Sequence, residues 1–189
     1  MAGARRASGG LGGPVARPPI LIILAVLIVA ALVPELSRYA AERRLYQASA
    51  ILRSVFARPH ELANAGGVVA WAASTASAVA PDLPGDWRPL NLAGSAWLLA
   101  RRADLALDKY REALALGERP EIDANVGRAY ASLGRHDRAA AAFLRAGWIS
   151  PAVLSSLPSA PRAALRSELA ALEQKLLTGR LGAPPPSVP

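Results

Sequence analysis

Few side chains in this sequence could carry out chemistry, and their spacing forms no metal site. His60 follows Pro59 in a predicted turn, and His136 lies in a predicted turn between two helices. Neither has a second His, a Cys or a carboxylate at metal-ligand spacing, so we expect both to be exposed to solvent. Asp104 and Asp108 could be taken for an acid–base pair. Asp104 has a counterpart in a later copy of its segment, however, and this favours a structural role.

The sequence also lacks the common catalytic motifs. It contains no Cys, which excludes disulfides and thiolate metal sites. The G-x-S-x-G, H-E-x-x-H and P-loop patterns do not occur. The glycine-rich stretch from Gly9 to Gly13 follows no predicted strand and is expected to be a linker. We therefore expect a protein that is not an enzyme, with no catalytic residue, no cofactor and no bound metal.

Basic residues outnumber acidic residues by 22 to 14, which gives a formal net charge of +8. All but two of the basic residues are Arg, and residues 1–34 contain three of them and no acid. No dense basic stripe interleaved with aromatic residues occurs, so binding of nucleic acid is not expected. The abundance of Ala, Arg and Gly with so few Lys is typical of a high-GC bacterial genome.

An unbroken apolar run, ILIILAVLIVAALV, extends from Ile20 to Val33 after a Gly-, Pro- and Arg-rich tail. As a helix it would be about 21 Å long, short of the roughly 30 Å hydrocarbon core, and extension to Leu36 adds another turn. Residues 20–36 are therefore predicted to form a transmembrane signal-anchor helix. The alternatives are a cleaved signal peptide, which has the right length but lacks a good small-x-small cleavage site, and a buried core helix.

One segment of the chain is duplicated at a shift of 33 residues. Gly94, Trp97, Asp104, Ala106, Tyr110 and Ala113 recur as Gly127, Tyr130, Asp137, Ala139, Phe143 and Ala146. A repeat of this length with small and aromatic residues in register predicts stacked helix pairs. Small residues would let the helices of a pair cross closely, and aromatic residues would fill the remaining space. Asp104 and Asp137 would be the N-caps of the second helices.

The pattern over residues 87–151 resembles the tetratricopeptide repeat (TPR) family. The matching residues are Leu90, Gly94, Trp97, Ala106, Tyr110, Ala113 and Pro120 in the first copy, and Asn125, Val126, Gly127, Tyr130, Gly134, Ala139, Phe143, Ala146 and Pro151 in the second. The first copy departs from the motif at Arg101, which stands in the place of Gly134 in a turn. The resemblance implies a helical solenoid that binds other molecules, and it does not specify which.

The resemblance also implies a concave groove lined by the first helix of each repeat. The matching positions are Asn91, Ser95, Leu98 and Leu99, followed by Ala124, Arg128, Ala131 and Ser132. We take Asn91, Ser95, Leu98, Leu99, Arg128 and Ser132 as the candidate partner-binding residues. One variant of the family grips C-terminal carboxylates with paired Lys and Asn. Asn125 matches that variant, but Asn91 and Ser95 replace its Lys and Asn. A mildly polar groove with one Arg instead suits a peptide or helix from another protein.

Further helices are predicted on both sides of the repeats. The stretch 35–58 is interpreted as a stalk, a surface for a partner helix, or the first helix of a degenerate repeat. A helix over Leu62–Val79 is predicted to be interrupted at Gly66-Gly67, and an amphipathic helix over Pro161–Leu177 would cap the solenoid. The predicted segments are a disordered basic tail (1–19), the membrane helix (20–36), juxtamembrane helices (37–86), two repeats (87–151), a capping helix (152–178) and a disordered tail (179–189).

The predicted fold is therefore all-α, with a single-pass N-terminal membrane helix followed by a short TPR-type α-solenoid and flanking degenerate or capping helices. The functional hypothesis is an anchored adaptor that holds another protein of an assembly in a bacterial envelope, such as machinery for secretion, pili, cytochrome maturation or polysaccharides. The expected location is the inner membrane, with lipid contacted by residues 20–36 and the C-terminal domain in the periplasm. The alternative is an accessory structural subunit of a membrane enzyme complex, bound mainly through the transmembrane helix.

Overall fold

The computed structural model describes residues 18–58, 64–157 and 159–188, and these residues form helices and connections without any strand. The helices are α1 (Pro18–Ala57), α2 (Gly66–Val79), α3 (Arg88–Leu99), α4 (Ala103–Ala115), α5 (Pro120–Ser132), α6 (His136–Ile149) and α7 (Ser159–Leu177), with 3-10 helices at Ala80–Asp82 and Pro151–Ser156. The all-α prediction is confirmed for this part of the chain. The chain divides after Arg38 into two compact units.

The first unit contains the apolar part of α1. Pro18 and Pro19 begin the helix, where a missing N–H is tolerated, and Pro34 lies inside it. An 18-residue window of this helix has a mean hydropathy of 2.7, and none of it is buried. By length and composition α1 can cross a membrane, whereas a core helix of the chain would be covered by other residues. A signal sequence has the same properties.

In the second unit, the C-terminal part of α1 packs on α2 and α3. Ala48 and Leu52 share one buried cluster with Val69 and Ala72 of α2 and with Ala96 of α3. The C-terminal part of α1 thus contributes to the core of the second unit. The structure begins α2 at Gly66, so the two glycines start this helix and do not interrupt it; residues 59–63, including His60, lie outside the described residues.

Each of the next two helix pairs is built around a glycine that faces an aromatic ring. A Cβ atom placed on Gly94 of α3 would lie 2.5 Å from Cε1 of Tyr110, and one on Gly127 of α5 would lie 2.5 Å from Cδ1 of Phe143. Tyr110 is fully buried and Phe143 is 6% exposed, so neither ring can move away freely. Of the other residues predicted to hold the pairs together, Ala106, Tyr130 and Ala139 are buried and Trp97 is half-buried.

The turns within these two pairs have the same backbone conformation although their sequences differ. Arg101 has a φ of 58° and Gly134 a φ of 70°. The N–H of the following residue donates to the carbonyl five residues earlier in both turns, Arg102 to Trp97 and Arg135 to Tyr130, each at 2.9 Å. The first copy therefore makes the same turn without glycine, with an exposed Arg in the left-handed region that L-residues disfavour.

The predicted N-caps are wrong by two positions. The helices α4 and α6 begin at Ala103 and His136, and the capping positions belong to Arg102 and Arg135, without a side-chain cap hydrogen bond. Asp104 and Asp137 lie in the first helical turn instead. Carboxylates in a first turn still interact favourably with the helix dipole, which explains why both copies keep an acid there.

The C-terminal region packs on the end of the helix stack, first through α7 and then through the segment after α7. In α7, Leu165 is buried, Leu169 packs against the core and Leu172 is half-buried, whereas Leu176 is 53% exposed. The predicted leucine stripe is therefore uncovered only at its C-terminal end. The segment after α7 was expected to be a disordered tail. The structure gives it packing contacts: Pro185 is buried and Val188 packs against the core cluster.

The glycine–aromatic crossings make a direct prediction. Gly94→Ala and Gly127→Ala should each lower the free energy of unfolding by about 1–3 kcal/mol, because the added methyl group overpacks the crossing. Gly67→Ala is the matched control, since no atom lies within 4 Å of its added Cβ, and it should stabilise α2 by about 0.5–1 kcal/mol. Thermal unfolding in detergent micelles, followed by circular dichroism, measures all three. Equal effects at Gly94 and Gly67 would contradict the proposed packing.

The two turns make a second prediction. Arg101→Gly should raise the free energy of unfolding by about 0.5–1 kcal/mol, because glycine removes the cost of the left-handed conformation and the Arg side chain is exposed. Gly134→Ala should lower it by about 1 kcal/mol for the same reason. The same unfolding measurement tests both variants, and the two changes in the free energy of unfolding should have opposite signs. A loss of stability in both variants would mean that the Arg101 side chain contributes more than its backbone costs.

Candidate partner-binding groove

The first helices of successive pairs are joined by a chain of polar side chains. Asn125 of α5 donates from Nδ2 to Oδ1 of Asn91 on α3 at 3.0 Å. Nη1 of Arg128 donates to Oδ1 of Asn125 at 2.6 Å, and Nη2 donates to both oxygens of Ser156, the carbonyl at 3.0 Å and Oγ at 2.9 Å. The chain thus extends from α3 across α5 to the 3-10 helix before α7.

A pocket of about 310 Å³ opens beside this chain, between α1 and α3. Its lining residues are Glu42, Leu45, Tyr46, Ser49, Trp87, Arg88, Asn91, Leu92 and Ser95. Ser95 Oγ lies 3.3 Å from the hydroxyl of Tyr110, so a hydrogen bond links the lining of the pocket to a buried core residue. Burial raises the pKa of Tyr110 to about 12, and its hydroxyl therefore remains protonated at neutral pH. We refer to this pocket and the adjoining polar chain as the groove.

Arg88 carries the ion pairs at the mouth of the groove. Its Nη2 lies 2.6 Å from Oδ2 of Asp86 and 2.7 Å from Oε1 of Glu42 on α1. These hydrogen bonds, first to Asp86 and then to Glu42, raise the pKa of the guanidinium. The contact to Glu42 links α1 to the start of α3, and both helices line the pocket.

Only three of the six sequence-predicted residues lie in the groove. Asn91, Ser95 and Arg128 lie in the groove and make the contacts described above. Ser132 is exposed, and its Oγ donates to the carbonyl of Arg128 in its own helix. Leu98 and Leu99 are half-buried, each packed against a different core cluster, so these two leucines contribute mainly to packing.

Sequence reasoning missed the contribution of α1 to the groove. Glu42, Tyr46 and Ser49 recur at intervals of three and four, which is one face of a helix. The signal was present, but it could be used only once α1 was known to pair with α2 and to lie beside α3. Trp87 was also missed, because it precedes the first helix of the duplicated segment.

The residues whose types could carry out chemistry are separated in the structure. His136 is exposed at the start of α6. Asp104 and Asp108 each have a separate basic neighbour, at 3.6 Å from Arg102 and 2.9 Å from Arg111. Among the described residues, no three His, Cys, Asp or Glu side chains are grouped so that they could hold a metal ion.

One buried carboxylate, Asp123, lies in the first turn of α5. Asp123 has no exposed surface, and neither of its oxygens has a hydrogen-bond partner. Burial and, to a smaller extent, the charge of nearby Glu118 raise its pKa to about 6, while Arg145 opposes the shift. Arg145 itself holds Glu118 through two hydrogen bonds of 2.7 and 2.6 Å and donates to the carbonyl of Pro185 at 2.7 Å.

Comparison of the chain with protein-family models, with curated proteins and with solved structures found no match. The class of protein therefore follows from the structure alone: within the described residues, it is an all-helical chain with one long apolar N-terminal helix and a stack of helix pairs.

Asp123 makes the stability depend on pH. Its folded pKa of about 6 exceeds the ordinary value of 3.8, so the folded state binds the proton more tightly and stability falls as pH rises from about 4 to 6. Asp123→Asn should therefore raise the free energy of unfolding by about 2 kcal/mol more at pH 8 than at pH 4. Asp108→Asn, exposed on α4, is the control. Thermal unfolding at the two pH values gives the comparison, and a pH-independent effect of Asp123→Asn would be the contrary result.

Proposed function

We propose that the protein is a TPR-type adaptor, anchored in a membrane by α1, that holds a segment of another protein in the groove. The observation that carries the proposal is the polar chain from Asn91 through Asn125 to Arg128. Polar side chains that join successive helices on one side of a stack provide donors and acceptors for a bound peptide or helix. A stack of helix pairs also presents an extended surface, which is the usual means of binding in solenoid proteins.

The glycine–aromatic crossings support the TPR-type interpretation. The duplicated positions form equivalent contacts, since Gly94 meets Tyr110 as Gly127 meets Phe143. The C-terminal part of α1 packs with α2 on one side of these two pairs, and on the other side α7 and the 3-10 helix Pro151–Ser156 both pack on α6, which supplies the covered ends that a short repeat array requires. The envelope location and the periplasmic side of the groove belong to the proposal and rest on the apolar segment and the residue composition.

A structural subunit of a membrane enzyme complex is the second candidate, favoured by the exposure of every residue in the apolar window of α1. Replacing residues 20–34 with an unrelated hydrophobic helix separates the two. An adaptor should still recover its partner in pull-downs from detergent-solubilised membranes. A subunit held through the span should lose its complex while the groove remains intact.

Photo-crosslinking tests the groove in native membranes. A benzoylphenylalanine at Ser132, which is exposed and bonded only within its own helix, should crosslink to a partner protein, and one at Arg111 on α4 should not. Arg128→Glu should reduce the crosslinked product about tenfold without altering helicity by circular dichroism, because it reverses the one charge in the polar chain. Arg111→Glu is the matched charge reversal.

Mass spectrometry of the product identifies the partner and the crosslinked peptide. Equal crosslinking from both positions, or capture unaffected by Arg128→Glu, would place the binding site elsewhere on the protein. Loss of helicity in Arg128→Glu would show that the contacts to Asn125 and Ser156 are structural. In that event Arg128→Gln, which removes the charge without reversing it, is compared with Arg111→Gln.

A further inference from the structure

The groove is surrounded by arginines whose charge the chain does not neutralise. Arg88 is matched by Asp86 and Glu42. Arg53, Arg119 and Arg128 are also at the groove, and none of them forms an ion pair within residues 18–58, 64–157 and 159–188. Together with the triad at Arg88, they leave the groove with an excess of positive charge.

Each of these three arginines makes a non-covalent contact with a residue of the groove. Arg53 donates to Oγ of Ser49, and its guanidinium lies 5.8 Å from the ring centroid of Tyr46. The guanidinium of Arg119 lies 4.8 Å from the ring centroid of Trp87. These cation–π distances hold the charges over the aromatic walls of the pocket.

Arg128 is the most constrained of the three. It is half-buried, and this burial lowers the pKa of its guanidinium. Its three hydrogen bonds all go to neutral oxygens of Asn125 and Ser156. Since a guanidinium has five N–H donors, two remain for a ligand, and a partly desolvated cation gains more from a carboxylate than an exposed one does.

We propose that the segment held in the groove is acidic and carries one apolar side chain, which enters the pocket between Tyr46 and Trp87 while Asp or Glu side chains beside it pair with Arg53, Arg119 and Arg128. This inference rests on the proposed function and specifies the chemistry of its ligand. The pocket, at about 310 Å³, lies at the lower limit of ligand sites and suits one or two side chains. A segment with acids around an apolar residue matches both the pocket and the charges.

The neutral polar groups favour a peptide over an anionic lipid. Nδ2 of Asn91 has no hydrogen-bond partner among the described residues, while its Oδ1 already accepts from Asn125. A free amide donor inside a groove suits a backbone carbonyl. Arginines with aromatic residues also attract phospholipid headgroups, and the experiment includes that outcome.

Selection from a random dodecapeptide display library tests the chemistry without requiring that the natural partner be identified. The full chain is presented in nanodiscs of phosphatidylcholine, so that α1 stays in a bilayer without net charge. Enriched peptides should contain at least two Asp or Glu residues around one Leu, Phe or Trp. Fluorescence anisotropy of the best peptide should show binding that weakens between 50 and 300 mM NaCl, as expected for exposed ion pairs.

Charge-neutralising variants then locate the site. Arg53→Gln and Arg119→Gln should each weaken binding of the selected peptide about three- to fivefold, the range of an exposed ion pair. Arg44→Gln is the matched control, because it lies nine residues before Arg53, about two and a half turns away and hence on the opposite side of α1. Tyr46→Ala, at a side chain 68% exposed, should weaken binding without loss of helicity.

Three results would overturn the inference. The enriched peptides could lack acidic residues, Arg44→Gln could weaken binding as much as Arg53→Gln, or dihexanoyl-phosphatidylglycerol could displace the peptide at concentrations below the Kd of the peptide. Each of these leaves the adaptor proposal intact as long as crosslinking from Ser132 still captures a protein. Failure of both the selection and the crosslinking would reject the groove itself.

Discussion

The structure depends on the close approach of helices that a missing side chain permits. Gly94 and Gly127 face the rings of Tyr110 and Phe143 at distances that a methyl group could not occupy. With these aromatic residues buried at the crossings, each pair has a filled core although aromatic residues make up only 5% of the sequence. The alanines around them complete the contact, since short side chains leave the helix backbones close together.

The first helices of the pairs also provide the polar side chains of the groove. Asn91 of α3 and Asn125 of α5 lie there and hydrogen-bond to each other. The carboxylates near the groove are engaged by Arg88, and the remaining arginines are held by aromatic rings and neutral oxygens. The groove therefore combines an apolar pocket with unneutralised positive charge, a combination that suits a ligand of opposite charge.

The C-terminal end shows a different balance of forces. Pro185 and Val188 pack against the stack, and Arg145 joins the tail to Glu118. Asp123, which senses the charges of Glu118 and Arg145, is buried without a hydrogen-bond partner, and this costs stability while it is ionised. Composition favoured a disordered tail because Gly- and Pro-rich segments bury little surface by themselves. Composition could not show that Pro185 and Val188 would pack on a surface that the helices already form.

The sequence by itself determined the helical fold, the apolar N-terminal segment and the duplicated contacts, because periodicity and small–aromatic spacing are local properties. The family resemblance also singled out Asn91, Ser95 and Arg128, which the structure places in one pocket and its adjoining polar chain. Only the tertiary structure decided that α1 supplies a wall of the pocket, that Arg101 adopts the turn of Gly134, and that Asp104 lies inside its helix. These features depend on which helices become neighbours and on backbone angles that packing imposes, and a linear pattern contains neither.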